Sequence, residues 1–275
     1  WKALQRSPAF LLLAVLTLAL GIGATATVHA LLHQVVLRPL PYPQPEQLVV
    51  MGMQVDGDQT HELQRGAPVF YDALEGLPSL QSRGMVATAG RDTNLARGDT
   101  SEVVRSLAAD RGFVQTLGVP LHSGRNFTAG EDTAGGPPAV IISHRSWQRL
   151  FQADTQAVGQ LLQIEGRATE VVGVLPAHWS WPEPFDLLLP MQPESNSRSM
   201  ASNEYLIGRI ADNVPLAHLD AQVQAALWAV IDQMITGEQE REALQHVRLG
   251  AQQLSVALAA GTAAGMLWMF MAAAA

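Results

Sequence analysis

The sequence predicts an α+β domain held between two membrane helices. Three observations predict it. Ser7 to Val28 is 22 residues without an ionisable side chain, and Leu249 to Ala275 is 27 more. Between them, the 210 residues from Pro39 to Arg248 mix stretches of apolar–polar alternation with stretches at helical spacing, as a folded domain in water does.

The first run is long enough to cross a bilayer, whose hydrocarbon core of roughly 30 Å takes about 20 apolar residues of helix. A lone segment in lipid satisfies its backbone only as a helix. Lys2 and Arg6 precede it and predict a cytoplasmic flank, with the domain on the other side. Ala24-Thr-Ala26 resembles a leader cleavage site, but the apolar stretch exceeds the usual signal core of about 7–15 residues. Gly21-Ile-Gly23-Ala-Thr-Ala26 matches a dinucleotide-binding pattern, which requires a strand-to-helix turn. Inside an apolar helix, Gly21 and Gly23 instead favour close helix packing. His29 and His33 stand four apart and mark the interfacial end of that helix.

The next elements follow in order. Arg38-Pro-Leu-Pro-Tyr-Pro-Gln-Pro45 carries four prolines, which predict an extended rod. Leu48 to Val55 reads as a strand, Pro68 to Leu77 as a helix with proline in its first turn, and Gly84 to Ala89 and Glu102 to Ala109 as strands. Asp110 caps a helix from Arg111 to Leu117, which Gly118 stops. Ala139 to Ile142 is a short buried strand, and Ser143 caps a helix from Arg145 to Phe151. Leu161 to Val174 alternates about Glu165-Gly166 and predicts a hairpin. Phe185 to Leu189 is a strand, Pro193 to Asn203 a polar loop, and Tyr205 to Ala211 a strand. Pro215 to Ile235 repeats apolar residues at helical spacing, and Gln245 to Leu249 forms the last strand. In the second run Gly261 and Gly265, with Ala257 one turn earlier, form a small-residue face suited to helix packing. The run ends at Ala273-Ala274-Ala275 without a charged flank, so the sequence is expected to be part of a longer protein.

Composition and motifs exclude several functions. The formal net charge is −8, every Asp and Glu lies between Glu46 and Glu242, and Lys2 is the only lysine. An acidic domain without lysine lacks the basic footprint of a nucleic-acid binder. The absence of cysteine excludes disulfides, thiol catalysis and cysteine-bound zinc. A phosphate-binding loop needs a lysine after its glycines, so the chain holds no such ATPase. His61-Glu62-Leu-Gln-Arg65 resembles a zinc-protease helix, but Arg65 stands where the second ligand belongs. Glu131-Asp132 reads as a solvated turn or a helix start, and no G-x-S-x-G elbow is present. Trp179 and Trp181, in His178-Trp-Ser-Trp-Pro182, are the candidates for stacking on a ligand or partner. No active site assembles, and the chain is not expected to be an enzyme.

Several stretches, in order, resemble the MacB/FtsX-type permeases of ABC transporters, and most of all their duplicated-permease branch. Arg6-Ser-Pro-Ala-Phe10 and Leu16-Thr-Leu-Ala-Leu-Gly-Ile-Gly-Ala24 resemble that family's first membrane helix, and Val36-Leu-Arg-Pro-Leu-Pro-Tyr-Pro43 its exit from the membrane. Phe113-Val-Gln-Thr-Leu-Gly-Val119, Gly124-Arg-Asn-Phe127 and Glu131-Asp132 resemble its central segment. Val140-Ile-Ile-Ser-His-Arg-Ser-Trp147, Phe151, Val158-Gly159 and Val171-Val-Gly-Val-Leu-Pro176 continue it, and Gly208-Arg-Ile and the helix after Pro215 resemble its close. The family usually has Asn where Thr25 stands and more basic residues near the membrane. The resemblance implies a periplasmic domain of porter-like βαβ units over 39–110 and 205–248, with an α/β subdomain inserted over 111–204. Membrane segments flank it over 1–38 and 249–275. It further implies a multi-pass protein of the bacterial inner membrane, a dimeric or paired permease, and an ATPase on a separate subunit that binds the ATP. A periplasmic adaptor, an outer-membrane channel and membrane lipids complete the implied partners. No cofactor is expected in this chain. The competing expectation is a membrane-tethered sensor or ligand-binding module.

Overall fold

The computed structural model describes residues 12, 15–19, 22, 23, 40–55, 65–98, 100–177, 179, 181–193, 199, 203–235, 237, 244 and 247–259. The chain divides into two units, Trp1–Leu40 and Pro41–Ala275. In the first, residues 12, 15–19, 22 and 23 are helical, and Leu12, Val15, Leu16, Leu18 and Ile22 all expose more than half of their surface. No helix among the described residues is long and apolar enough to cross a membrane. Most of both apolar runs, including Gly21, Gly261 and Gly265, lies outside the described residues, whereas Gly23 is helical and exposed.

The second unit is mixed α and β. Its strands are β1 (Leu48–Val55), β2 (Leu80–Ala87), β3 (Arg91–Arg97), β4 (Thr100–Ala109), β5 (Ser123–Gly124), β6 (Ala139–Ile142), β7 (Leu161–Ile164), β8 (Arg167–Val174), β9 (Leu187–Pro190), β10 (Glu204–Ile210) and β11 (Val247–Gln253). Its helices are α1 (Pro68–Ala73), α2 (Arg111–Leu117), α3 (His144–Phe151) and α4 (Leu216–Met234). Among the described residues eleven strands join in one sheet, in the order β11-β1-β10-β2-β4-β3-β7-β8-β6-β9, with β5 on β8. A further pairing of β9 with β4 returns the path on itself, so β4, β3, β7, β8, β6 and β9 form a closed ring. The open part and the ring meet where Val86 of β2 pairs with Ala109 of β4.

Each part has its own core. Val49, Met51, Met85, Leu206 and Leu249 of the open sheet pack on Phe70 and Leu74 and on Leu219, Val223, Leu227 and Ile231, one stripe of α4. In the ring, Leu95, Val104, Val140, Ile142, Leu162, Ile164, Val171 and Leu187 close around Trp147 and Phe151 of α3. The region expected as an insert over 111–204 therefore shares its core with β3 and β4, which precede it.

Several predicted elements stand at their predicted limits, among them β1, β6, α2 and the β7–β8 hairpin. The hairpin turn places Glu165 at φ 49° and Gly166 at φ 74°. Two consecutive left-handed residues suit a tight hairpin, and glycine takes that backbone without strain.

Four expectations are corrected. β3 was not anticipated, because Arg91-Asp-Thr-Asn-Leu-Ala-Arg97 turns only Thr93 and Leu95 fully inward. The helix expected to reach Leu77 ends at Ala73. From Leu40 onward the proline segment is no rod. Gln44 takes a left-handed backbone, Pro45–Gln47 form a 3-10 turn, and the segment folds against the sheet. The last strand does not stop at Leu249. Leu249 to Gln253, read as the start of the second membrane segment, close the sheet, because Leu249 and Ala251 pack into the open-sheet core.

α2 lies close against β2. A methyl group built on Gly84 would come within 2.5 Å of the Phe113 backbone nitrogen and Cα. Neither backbone can yield without lifting the helix. Gly84→Ala is expected to lower the unfolding free energy by about 2 kcal/mol, read as a fall in the urea midpoint at unchanged slope.

Candidate coupling site where the chain enters and leaves the domain

β1 begins just after the proline segment, and β11 runs into the second apolar run as far as Gln253. The two strands are antiparallel neighbours, and Val49 sits opposite Gln253. The Gln253 side-chain amide donates to the Glu46 carbonyl at 3.4 Å. The chain therefore enters and leaves at one end of the sheet. Residues 254–259 continue from β11 as helix, with Leu254 and Ala257 buried. From α4, the Asp220 carboxylate accepts the Ala251 amide at 2.7 Å, so the long helix holds the edge strand that leads outward.

Arg209 of β10 ties the entrance down. It is 7% exposed, and its guanidinium is spent on carbonyls. Nε donates to the Thr116 carbonyl at 3.1 Å and Nη2 to the Leu117 carbonyl at 3.2 Å. Nη1 donates to the Pro43 carbonyl at 3.1 Å, with Gln44 O and Gln47 Oε1 each at 3.4 Å. Thr116 and Leu117 end α2, where carbonyls lack partners within the helix and the dipole is negative. Gly118 terminates that helix at φ 70°, and a Cβ there would lie 3.1 Å from Arg209 Nη2. Burial lowers the Arg209 pKa from its ordinary value, and Glu46 opposes that shift. A guanidinium remains charged regardless.

The other end of α2 is held by a buried charge of opposite sign. Asp110 Oδ1 accepts the Phe113 amide at 2.9 Å, capping the helix, and the Met85 amide of β2 at 2.8 Å. Its Oδ2 accepts the Tyr71 hydroxyl of α1. Burial pushes the Asp110 carboxyl up to about 6, against the pull of these donors. Asp132 Oδ2 accepts the Arg111 amide at 2.8 Å at the same helix end. Glu131 is not the solvated residue that the sequence suggests. It is 7% exposed and binds Arg125 through both oxygens at 2.8 Å, which holds its carboxyl down to about 2. Thus α2, only seven residues long, is gripped by an acid at its positive end and a base at its negative end.

Rings pack beside this grip. Trp181 is 6% exposed, with Phe113 at 5.8 Å and Tyr205 at 5.7 Å between ring centroids. Trp179 meets Phe113 edge-on at 5.7 Å and Tyr42 of the proline segment at 6.2 Å. Its Nε1 donates to the Trp181 carbonyl at 3.0 Å. The two candidate tryptophans are thus brought together in different settings. Trp181 is enclosed, whereas Trp179 is half-buried and lines a cleft of about 300 Å³.

Among the described residues no three His, Asp or Glu side chains cluster as metal ligands. His29, His33 and His61 lie outside them. Sequence reasoning named Asp110 only as a cap and missed Arg209 and Asp220. The available signal was an arginine in the middle of an otherwise apolar strand, Tyr205-Leu-Ile-Gly-Arg-Ile210.

The sequence matches the MacB-like periplasmic core domain family over residues 11–226. No curated protein matches it. Among solved structures, a domain of a Porphyromonas gingivalis protein assigned as a permease is similar at 18% identity and TM-score 0.51, covering 78% of this chain and 93% of that one. The periplasmic region of MacB from Actinobacillus actinomycetemcomitans is similar at 13% identity and TM-score 0.50, over 80% of this chain and 91% of that one. The extracellular domain of the noncanonic ABC-type transporter YknZ from Gram-positive bacteria aligns at 16% identity and TM-score 0.48, over 74% and 98%. The family match spans most of the chain, and the fold that carries the Arg209 grip agrees with it: this protein belongs to the MacB-like periplasmic core domain family.

Proposed function

We propose that the chain is part of a permease subunit of an ABC-type exporter, in which the domain carries ATP-driven motion of the membrane helices to substrate or partner proteins. The observation that carries this reading is the pairing of Val49 with Gln253, which brings the entrance and the exit of the domain side by side at one end of one sheet. A domain rooted at a single end is displaced as a body when its two roots move. Arg209 joins the entrance to α2 and Asp220 joins the exit strand to α4, while Asp110 fixes the other end of α2 to β2.

The first apolar run, and the second beyond Gln253, are then membrane helices of a multi-pass inner-membrane protein, with Gly21, Gly23, Gly261 and Gly265 as helix-packing positions. The domain faces the periplasm, with the open sheet as its porter-like part and the closed ring, which takes in β3 and β4, as the second part. ATP is bound and hydrolysed by a partner subunit, and the permease works as a dimer or a pair. A periplasmic adaptor and an outer-membrane channel are further partners. Purification of the full-length protein is expected to recover an ATPase subunit whose turnover changes when the permease is present. Recovery of a protein with neither an ATPase nor a second permease copy contradicts this reading and favours a tethered sensor.

A further inference from the structure

A cleft opens beside Trp179. Trp179, Phe185, Pro176 and Pro184 supply apolar walls, and Arg105, His144 and Arg145 stand among them. One carboxylate, Asp186, lines the cleft as well, but it and its neighbour Glu183 are already engaged. Asp186 accepts from the Ser146 hydroxyl at 2.9 Å, from Arg149 at 3.2 Å and from the Arg105 amide at 3.1 Å. Glu183 lies 3.2 Å from the Arg105 guanidinium. Arg145 is left exposed, with no carboxylate partner among the described residues. A cationic, aromatic-walled cleft therefore opens in a chain whose formal net charge is −8. Its volume, about 300 Å³, is at the small end of ligand pockets.

We propose that this cleft binds a small amphiphilic compound with a flat apolar body and one acidic group. The body stacks on Trp179 and Phe185, and the acid pairs with Arg145. Arg145 suits the task because a guanidinium offers planar, paired donors to a carboxylate. Trp179 also touches Tyr42 of the entrance segment and Phe113 of α2, so an occupant rests on a ring shared with the coupling site. The binding proposal stands on the cleft alone and does not require the transport reading.

The test titrates the full-length protein in nanodiscs with 2-naphthoate, following saturation-transfer NMR, with empty nanodiscs as the blank. Naphthalene-2-methylamine and acetate serve as charge and ring controls. The account expects 2-naphthoate to bind about tenfold more tightly than either control, a difference of roughly 1.4 kcal/mol. Arg145→Glu, an exposed substitution, is expected to weaken naphthoate at least about tenfold, and Trp179→Leu to weaken it similarly. Equal binding of the amine, or naphthoate binding that Arg145→Glu leaves unchanged, overturns the proposal whatever Trp179→Leu does to folding.

Discussion

Arg209→Ala is expected to lower the unfolding free energy of the domain by about 3–5 kcal/mol, because it leaves several carbonyls without their charged donor. The substitution strands the Thr116 and Leu117 carbonyls at the buried end of α2 and releases the Pro43 and Gln44 carbonyls of the entrance segment. An acceptor left buried without a donor costs about 1–3 kcal/mol, so two such losses reach the predicted range. At roughly 2–4 °C per kcal/mol for a domain of this size, the melting temperature falls by about 10 °C. Arg209→Lys keeps the charge but not the planar fork, and its compact ammonium cannot serve both segments together. It is expected to recover about half of the loss. A cavity variant in the ring core, Leu162→Ala, is the control. It lowers stability by about 2–5 kcal/mol without touching the entrance segment, because Leu162 packs only within the ring core. Thermal unfolding compares the three.

Asp110→Asn is expected to change how stability depends on pH. In the folded domain the carboxyl titrates near 6, whereas its ordinary value is 3.8. Between these values the folded state holds a proton that the unfolded state has released. Stability therefore falls as pH rises from about 4 to about 6, and it is flat above that for this group. The full shift corresponds to at most about 3 kcal/mol. Asparagine keeps an acceptor for the Met85 and Phe113 amides and offers a donor to the Tyr71 oxygen. The variant should lose the decline between pH 4 and 6 and equal or exceed the wild type at pH 7. Asp110→Ala removes the cap, the bridge to β2 and the tyrosine contact together, and is expected to cost about 3 kcal/mol at pH 7. The check is the difference between wild-type and Asn unfolding free energies across pH 4–8. A constant difference contradicts the assignment.

Local signals carried much of the fold. Asp110, Ser143, Gly118 and Glu165-Gly166 act within a few residues of themselves, and the elements that they start or stop stand where the sequence places them. What escaped depends on contacts distant in sequence. β3 is polar on one side and exists because β4 and β7 pair with it. Leu249 and Ala251 are as apolar as a membrane segment, and pairing with β1 and packing on the stripe of α4 make them a strand. The proline segment folds because Arg209, 166 residues further on, draws in the Pro43 carbonyl. The coupling site was partly legible. Its aromatic members were named as tryptophans of interest, but their settings differ by a few ångströms of packing that no local pattern records. Arg209 was visible as a misfit in an apolar strand, while its partners, backbone carbonyls on two remote segments, leave no mark in the sequence.

The central claim is that the entrance segment and α2 move as one body through Arg209. These 275 residues hold no cysteine, so two introduced cysteines are the labelled positions once any cysteines in the rest of the permease and in the ATPase are replaced. Nitroxides at Glu46 and Gln115, both exposed, report the spacing of the two segments by dipolar EPR in the full-length permease with its ATPase. The account predicts one narrow distance, the same with and without bound nucleotide, that broadens in Arg209→Ala. A wild-type distance that shifts with nucleotide, or a distribution that Arg209→Ala leaves unchanged, contradicts it.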